Sequence, residues 1–314
     1  MNGVSDYMNY LIVEKGLNEL TIRGYRSVLE KAVQLLPSPI TSVTKQDILD
    51  WREMEVEEYE KANGTVNKEM TILKGYLKWL CHNNQISKEQ WFDIEKIPRL
   101  PKGRQLPKVI TLAQVQALFQ KVDIQEDIGL RDAVMLFLMY RAGLRLDEVV
   151  KVNVDSINKD YTLITLTADM AKGNKEAAVP IDGESFRKCL KYWIEKVRPK
   201  HALPNERALL VNIGAPPHLS EVQGTRMTDR NVQIRTKMLM KKAGMPEWAG
   251  CHTLRHSRAT HLLDAGMDLR YIQEFLRHEN IQTTTIYTYV SKAALARKMQ
   301  EFAPAEEQLQ GLNL

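Results

Sequence analysis

The side chains best suited to chemistry crowd one C-terminal stretch, from His252 to Tyr287. It reads His252-Thr253-Leu254-Arg255-His256-Ser257, then a helical segment, then Leu276-Arg277-His278, then Thr283-Thr284-Thr285-Ile286-Tyr287. His252 and Arg255 are three residues apart, so on a helix they share a face. An arginine fork suits a phosphate bidentately. The imidazoles of His252 and His278 can donate to a phosphate oxygen or move a proton near neutral pH. The Tyr287 hydroxyl is a candidate nucleophile for a covalent intermediate. The set requires no metal and suits phosphoryl transfer through a phosphotyrosine. Each piece alone has an ordinary explanation: a solvated His-x-x-Arg pair, a helix-terminal histidine, a packed tyrosine with a wet hydroxyl. Their order is what carries weight.

The elements that must position these groups follow from periodicity. Residues 1–95 read as a helical domain. From Leu20 to Leu36, Ile22, Tyr25, Leu29, Ala32, Val33 and Leu36 recur at helical spacing, with Arg23, Arg26 and Lys31 mostly off that face. A second helix from Thr65 to Cys81 has Met70, Leu73, Leu77 and Leu80 as its buried stripe and Lys68, Lys74 and Lys78 on another side. Such a lysine stripe is most often a solvated face; the functional alternative is a surface that neutralises DNA phosphates. Glu53, Glu55, Glu57, Glu58 and Glu60 form an acidic patch, expected to face away from DNA. Residues 96–110 are a proline-rich linker carrying Arg99, Lys102, Arg104 and Lys108, either a stiff spacer or a strand of phosphate contacts.

Residues 111–303 form the second domain. Asp132 to Arg141 is apolar almost all round and predicts a buried helix closed at Gly143. Arg145 and Glu148 then lie three apart at the start of another helix, where an ordinary surface ion pair is the plain reading. Thr162–Thr167 and Ala177–Ile181 read as paired strands around a Lys172-Gly173-Asn174-Lys175 turn. A basic amphipathic helix is expected from Phe186 to Lys200, and another from Asp229 to Gly244 with Arg230, Arg235, Lys237, Lys241 and Lys242. His201 and His218 have no partner motif and read as surface residues. Helices from His252 to Ala265, Asp268 to Arg277 and Ser291 to Phe302 complete the domain, and 304–314 is a tail that reads most simply as disordered. The fold class is therefore mostly α, with a small antiparallel β-sheet in the second domain. A net charge of +5 permits nucleic-acid binding. Three scattered cysteines and no leader or long apolar run suggest a cytoplasmic protein away from membranes.

The segments His252-Thr-Leu-Arg-His-Ser-Arg-Ala-Thr-His-Leu-Leu263, Leu276-Arg-His278 and Thr284-Thr-Ile-Tyr-Thr-Tyr-Val290 resemble the C-terminal signature of the tyrosine recombinases, the phage integrases and Xer-type enzymes. Ala142-Gly-Leu-Arg-Leu-Asp-Glu148 is similar to the family's first arginine motif. The resemblance implies an N-terminal helical core-binding domain and a C-terminal catalytic domain. It implies that Tyr287 attacks a scissile phosphate, that Arg145 and Arg255 grip it, and that His252 and His278 assist. Lys172 becomes the general acid, ahead of Lys175, and Glu148 an orienting residue. The implied partner is duplex DNA, bound by a homo-tetramer on two sites, with a monomer allowed in solution; no cofactor or metal is implied. The tail would dock on a neighbouring protomer. Three positions depart from the pattern: Arg277 and Ala171 where glycines are usual, and Tyr289 where a histidine is common. Tyr287 keeps the family's nine-residue offset from His278, which favours it over Tyr289. The alternatives are a type IB topoisomerase and a catalytically dead, architectural DNA-binding protein.

Overall fold

A computed structural model of the chain describes residues 3–101, 108–170, 176–214 and 217–277. The chain divides into two compact units, Met1–Gln105 and Leu106–Leu314. The first is helical throughout its regular structure: α1 (Gly3–Val13), α2 (Glu19–Leu35), α3 (Lys45–Glu57), α4 (Asn63–His82) and α5 (Lys88–Glu95). Polar residues set three of the helix starts. Asn18 accepts from the Thr21 N–H, Thr44 and Asp47 form a reciprocal capping box, and Ser87 accepts from the Gln90 N–H. The α4 stripe of Met70, Leu73, Leu77 and Leu80 is buried as its spacing requires, with Ile22, Leu29 and Ala32 of α2 in the same core. One member of the acidic patch is not on the surface. Glu55 is buried on α3, in direct contact with Lys61, because Lys61 follows α3 and folds back over it.

The linker's first residues are held by this unit. Asn67 both donates to and accepts from the Leu100 backbone at 2.9 Å, Asn63 donates to the Pro101 carbonyl, and Arg52 to that of Pro98. Backbone that can join neither helix nor strand thus finds side-chain partners.

The second unit contains α6 (Leu112–Gln120), α7 (Asp127–Tyr140), α8 (Leu146–Lys151), β1 (Leu163–Leu166), β2 (Ala177–Pro180), α9 (Glu184–Tyr192), α10 (Arg198–His201), α11 (Asp229–Lys242), α12 (Cys251–Asp264) and α13 (Leu269–Leu276). The strands pair antiparallel with Leu163 opposite Pro180, and Ile164, Leu166 and Val179 turned into the core. Helix α7 is the buried centre, packed on α12 and α9. Asp132 on it is buried and accepts from both Arg131 and Arg235, so one member of the α11 basic run is committed internally. The helix expected from Phe186 to Lys200 is interrupted by a π turn at Trp193–Val197, where the Trp193 indole donates to the Leu209 carbonyl. Its Arg198 points inward, onto the Ala208 and Glu206 carbonyls. His201 is likewise no plain surface residue: its Nε2 lies 2.7 Å from Asp127.

Two joints help shape this unit, one at the loop that carries Arg145 and one where the chain enters. Gly143 has φ +59, and a Cβ there would stand 2.8 Å from the Phe275 ring of α13. Only glycine meets both demands. At the unit's entry, the Ile110 N–H donates to Ser257 and its carbonyl meets His261 Nε2, tying the incoming chain to α12. Among the described residues, no helix is long and apolar enough to cross a membrane.

Candidate active site

Arg145 and Arg255 come from distant parts of the chain and meet at the C-terminal end of α13. Arg145 is the N-cap of α8, and its backbone N–H donates to Glu148 Oε2 at 2.8 Å. Its Nη1 donates to Glu148 Oε1 at 2.8 Å, and its Nη2 to the Arg277 carbonyl at 3.1 Å and the Leu276 carbonyl at 3.5 Å. Arg255, buried on α12, donates to the carbonyls of Gly143 and Leu276. The last carbonyls of a helix lack intrahelical donors and carry the negative end of its dipole, which suits them to guanidinium partners.

Glu148 sits at the centre of this arrangement, with no exposed surface. Burial pushes its carboxyl up, but Arg277, the Arg145 N–H and the Arg145 guanidinium outweigh that, and it lies below the ordinary glutamate value. Arg277 Nη2 is 2.6 Å from Glu148 Oε2, whereas Arg255 Nη1 stands at 4.0 Å from the same oxygen. Arg277 is thus part of the Glu148 cluster. The sequence marks it only as a departure from a glycine pattern, and the signal that identifies its role is tertiary.

His252 is exposed on the first turn of α12, at the rim of a groove of about 480 Å³ that Arg230 and Lys237 of α11 also line. The next histidine on this helix, His256, is largely buried. Burial, with the charges of His252 and Arg255, pushes its imidazole down to about 4. His261 bridges the Tyr140 hydroxyl at 2.8 Å and the Ile110 carbonyl at 3.0 Å. Among the described residues, no group of three His, Cys, Asp or Glu side chains could hold a metal ion.

Lys172, His278 and Tyr287 lie outside the described residues, as do Lys175, Tyr289, Lys102 and Arg104. The other basic candidates divide by environment. Lys68, Lys78, Arg99 and Lys108 are exposed, and Arg26 partly so. Arg23 is exposed 3.6 Å from Glu19. Lys74 differs: its ammonium donates to the carbonyls of Glu95 and Ile97 at 2.9 and 2.8 Å. Lys108 lies 5.9 Å from the centre of the Trp248 ring.

Comparison with known proteins shows the family to which the chain belongs. Residues 108–294 match the model of the phage integrase family, and residues 4–84 that of the phage integrase N-terminal SAM-like domain. The chain is 33% identical over 307 residues to a tyrosine recombinase XerD of Listeria innocua, covering 96% of this chain and 98% of the relative. It is 32% identical over 306 residues to a tyrosine recombinase XerD of Pseudomonas putida, covering 96% and 97%. Among solved structures, a XerH site-specific recombinase bound to palindromic difH substrate aligns with TM-score 0.71 at 18% identity, over 94% of this chain and 82% of that one. A lambda integrase dimer bound to a core site aligns with TM-score 0.70 at 14% identity, over 91% and 93%. The chain belongs to the phage integrase family. It is an enzyme of the tyrosine-type site-specific recombinase class, which breaks and rejoins DNA.

Proposed function

We propose that the protein recombines duplex DNA at specific sites through a 3′-phosphotyrosyl intermediate, with Tyr287 as nucleophile. The observation that carries this reading is the shared carbonyl of Leu276. Arg145 and Arg255 both donate to it, at the end of the helix that leads into His278 and Tyr287. Two guanidiniums gathered at one point suit the non-bridging oxygens of a phosphodiester, whose charge grows as the phosphorus is attacked. The Tyr287 hydroxyl gives its proton to His252 or to solvent and its oxygen forms a bond to phosphorus, the bond to the 5′ oxygen breaks, and Lys172 gives that oxygen its proton. His252 acts as acid–base or donor and His278 as donor. The 5′ hydroxyl of a partner strand then reverses the step. The phosphotyrosine conserves the bond energy, so no nucleotide cofactor is needed. Four protomers on two sites exchange strands through a Holliday junction, in the cytoplasm. Lys68, Lys78, Arg99, Lys102, Arg104 and Lys108, with Arg23 and Arg26, supply phosphate contacts.

A nicked suicide duplex tests the nucleophile. Tyr287→Phe is expected to bind DNA normally and form no SDS-stable adduct, and Tyr289→Phe to form it. The opposite pattern moves the nucleophile to Tyr289. Relaxation of supercoils without pairing of sites would favour the topoisomerase instead, and a wild-type chain that forms no adduct the architectural protein.

A further inference from the structure

Helix α13 ends on an arginine in a conformation that glycine adopts more readily. Arg277 has φ +53 and ψ +48, the left-handed region, where a side chain with a Cβ is strained. Its Nε–H is buried with no hydrogen-bond partner, a second unfavourable feature. Both accompany a guanidinium that is only 15% exposed and whose Nη2 lies 2.6 Å from Glu148 Oε2. A residue held against two local penalties points to a task for its side chain.

The partners of Glu148 indicate that task. Oε1 is taken by Arg145 Nη1, and Oε2 by the Arg145 N–H and Arg277 Nη2. Arg255 Nη1 remains 4.0 Å from Oε2, an ångström beyond a good hydrogen bond. If Arg277 is taken away, Arg255 is the guanidinium left to fill the vacated side of that oxygen. A carboxylate paired with Arg255 would then be a permanent competitor of any phosphate.

We propose that Arg277 is a positioning residue for phosphate binding: by occupying Glu148 Oε2 it keeps the carboxylate from closing the 4.0 Å to Arg255 into a hydrogen bond and leaves the cluster an excess of positive charge for a phosphodiester. Three guanidiniums and one carboxylate carry a net of two positive charges; without Arg277 the net is one. This role rests on the reading of Arg145 and Arg255 as phosphate ligands.

The test uses the full chain with two probes. The first is inorganic phosphate, followed by thermal stabilisation; the second is the nicked suicide duplex. Arg277→Gly relieves the backbone strain and so should fold. It is expected to raise the phosphate concentration for half-maximal stabilisation about tenfold, and to raise the duplex concentration for half-maximal adduct formation more than it lowers the maximal rate. Arg277→Lys keeps the charge and should recover most of both. In a Glu148→Gln background, where no carboxylate competes, Arg277→Gly should lose clearly less phosphate affinity than the loss of about tenfold expected with Glu148 in place, because only the general loss of one positive charge remains. Arg277→Gly titrating like wild type overturns the proposal. So does an equal loss in both backgrounds, which would mean that Arg277 holds the phosphate directly. A wild-type chain that forms no adduct overturns the recombinase reading, and the phosphate titrations still decide the role of Arg277.

Discussion

Each unit buries a glutamate among cations, and the two clusters differ in balance. In the first, Glu55 touches Lys61 and has Lys31 at 3.8 Å, while Lys61 also pairs with Glu69 at 2.7 Å. Two carboxylates meet two ammonium groups, and the cluster joins α2, α3, α4 and the segment between α3 and α4 without net charge. In the second, Glu148 faces Arg145, Arg277 and Arg255. Burial alone would push the Lys61 ammonium down and the Glu148 carboxyl up; in both cases the partners prevail, so Lys61 lies above its ordinary value and Glu148 below. A buried ion pair therefore does not mark a site. The uncompensated charge does, because it is the part that an outside anion can neutralise.

The largest effect expected from this contrast is on rate. Arg255→Ala removes a guanidinium from the unbalanced cluster and should slow adduct formation on a suicide duplex by about 10²–10³-fold, the scale for one charge-stabilising donor. Lys61→Met removes a cation from the balanced cluster and strands Glu55 in the core. Urea unfolding should show a loss of about 3–5 kcal/mol, with the adduct rate of the folded protein unchanged. If Lys61→Met slows the folded enzyme, the division into structural and functional clusters fails.

This difference explains what could be read from the chain in advance. Local rules govern α4, whose stripe of Met70, Leu73, Leu77 and Leu80 is a matter of helical spacing, and the strand pair, whose β-branched alternation is read directly from the chain. The Arg145 and Arg255 motifs were legible because their neighbours in sequence match a known pattern. Glu55 was not. Its burial depends on Lys61 folding back over α3, which no periodicity encodes. Nor was the place of Arg277, since a left-handed helix end argues for glycine and only the tertiary position of Glu148 shows what the guanidinium does. The interruption at Trp193 was missed for the same reason: the indole's partner is a carbonyl sixteen residues away.

The clusters should also separate by pH. His256 on α12 sits at about 4 when folded, against an ordinary 6.5, so between those values the unfolded chain binds a proton that the folded chain does not. Its contribution is complete above 6.5 and is lost as pH falls toward 4. Glu148, held below its ordinary value, adds loss in the same direction as pH falls through its folded value. Lys61 has the opposite sense: its contribution is present below 10.5 and is lost as pH rises through the higher folded value. Stability measured by urea at stepped pH should therefore show His256 and Glu148 contributing to the acid limb and Lys61 to the alkaline limb. His256→Gln should flatten the acid limb by at most about 1.4 kcal/mol per pH unit, the limit for one proton. An acid limb unchanged in that variant would remove His256 from the account.

The smallest expected effects lie on α4, where three lysines that look alike in sequence occupy two environments. Lys68 and Lys78 are exposed, and a phosphate contact by either releases about one counterion. Lys68→Ala and Lys78→Ala should each reduce the slope of log affinity against log salt by about one, leave sequence preference unchanged and leave unfolding within about 0.5 kcal/mol of wild type. Lys74 is occupied by the carbonyls that end α5, and burial holds its ammonium below the ordinary lysine value. Its removal leaves both carbonyls without that charged donor. Lys74→Ala should cost about 1.5–3 kcal/mol in unfolding free energy and leave the salt slope as it was. A reduced slope with unchanged stability would mean that DNA draws Lys74 away from α5. Lys74 would then join the phosphate contacts, and the division of these lysines by environment would not survive binding.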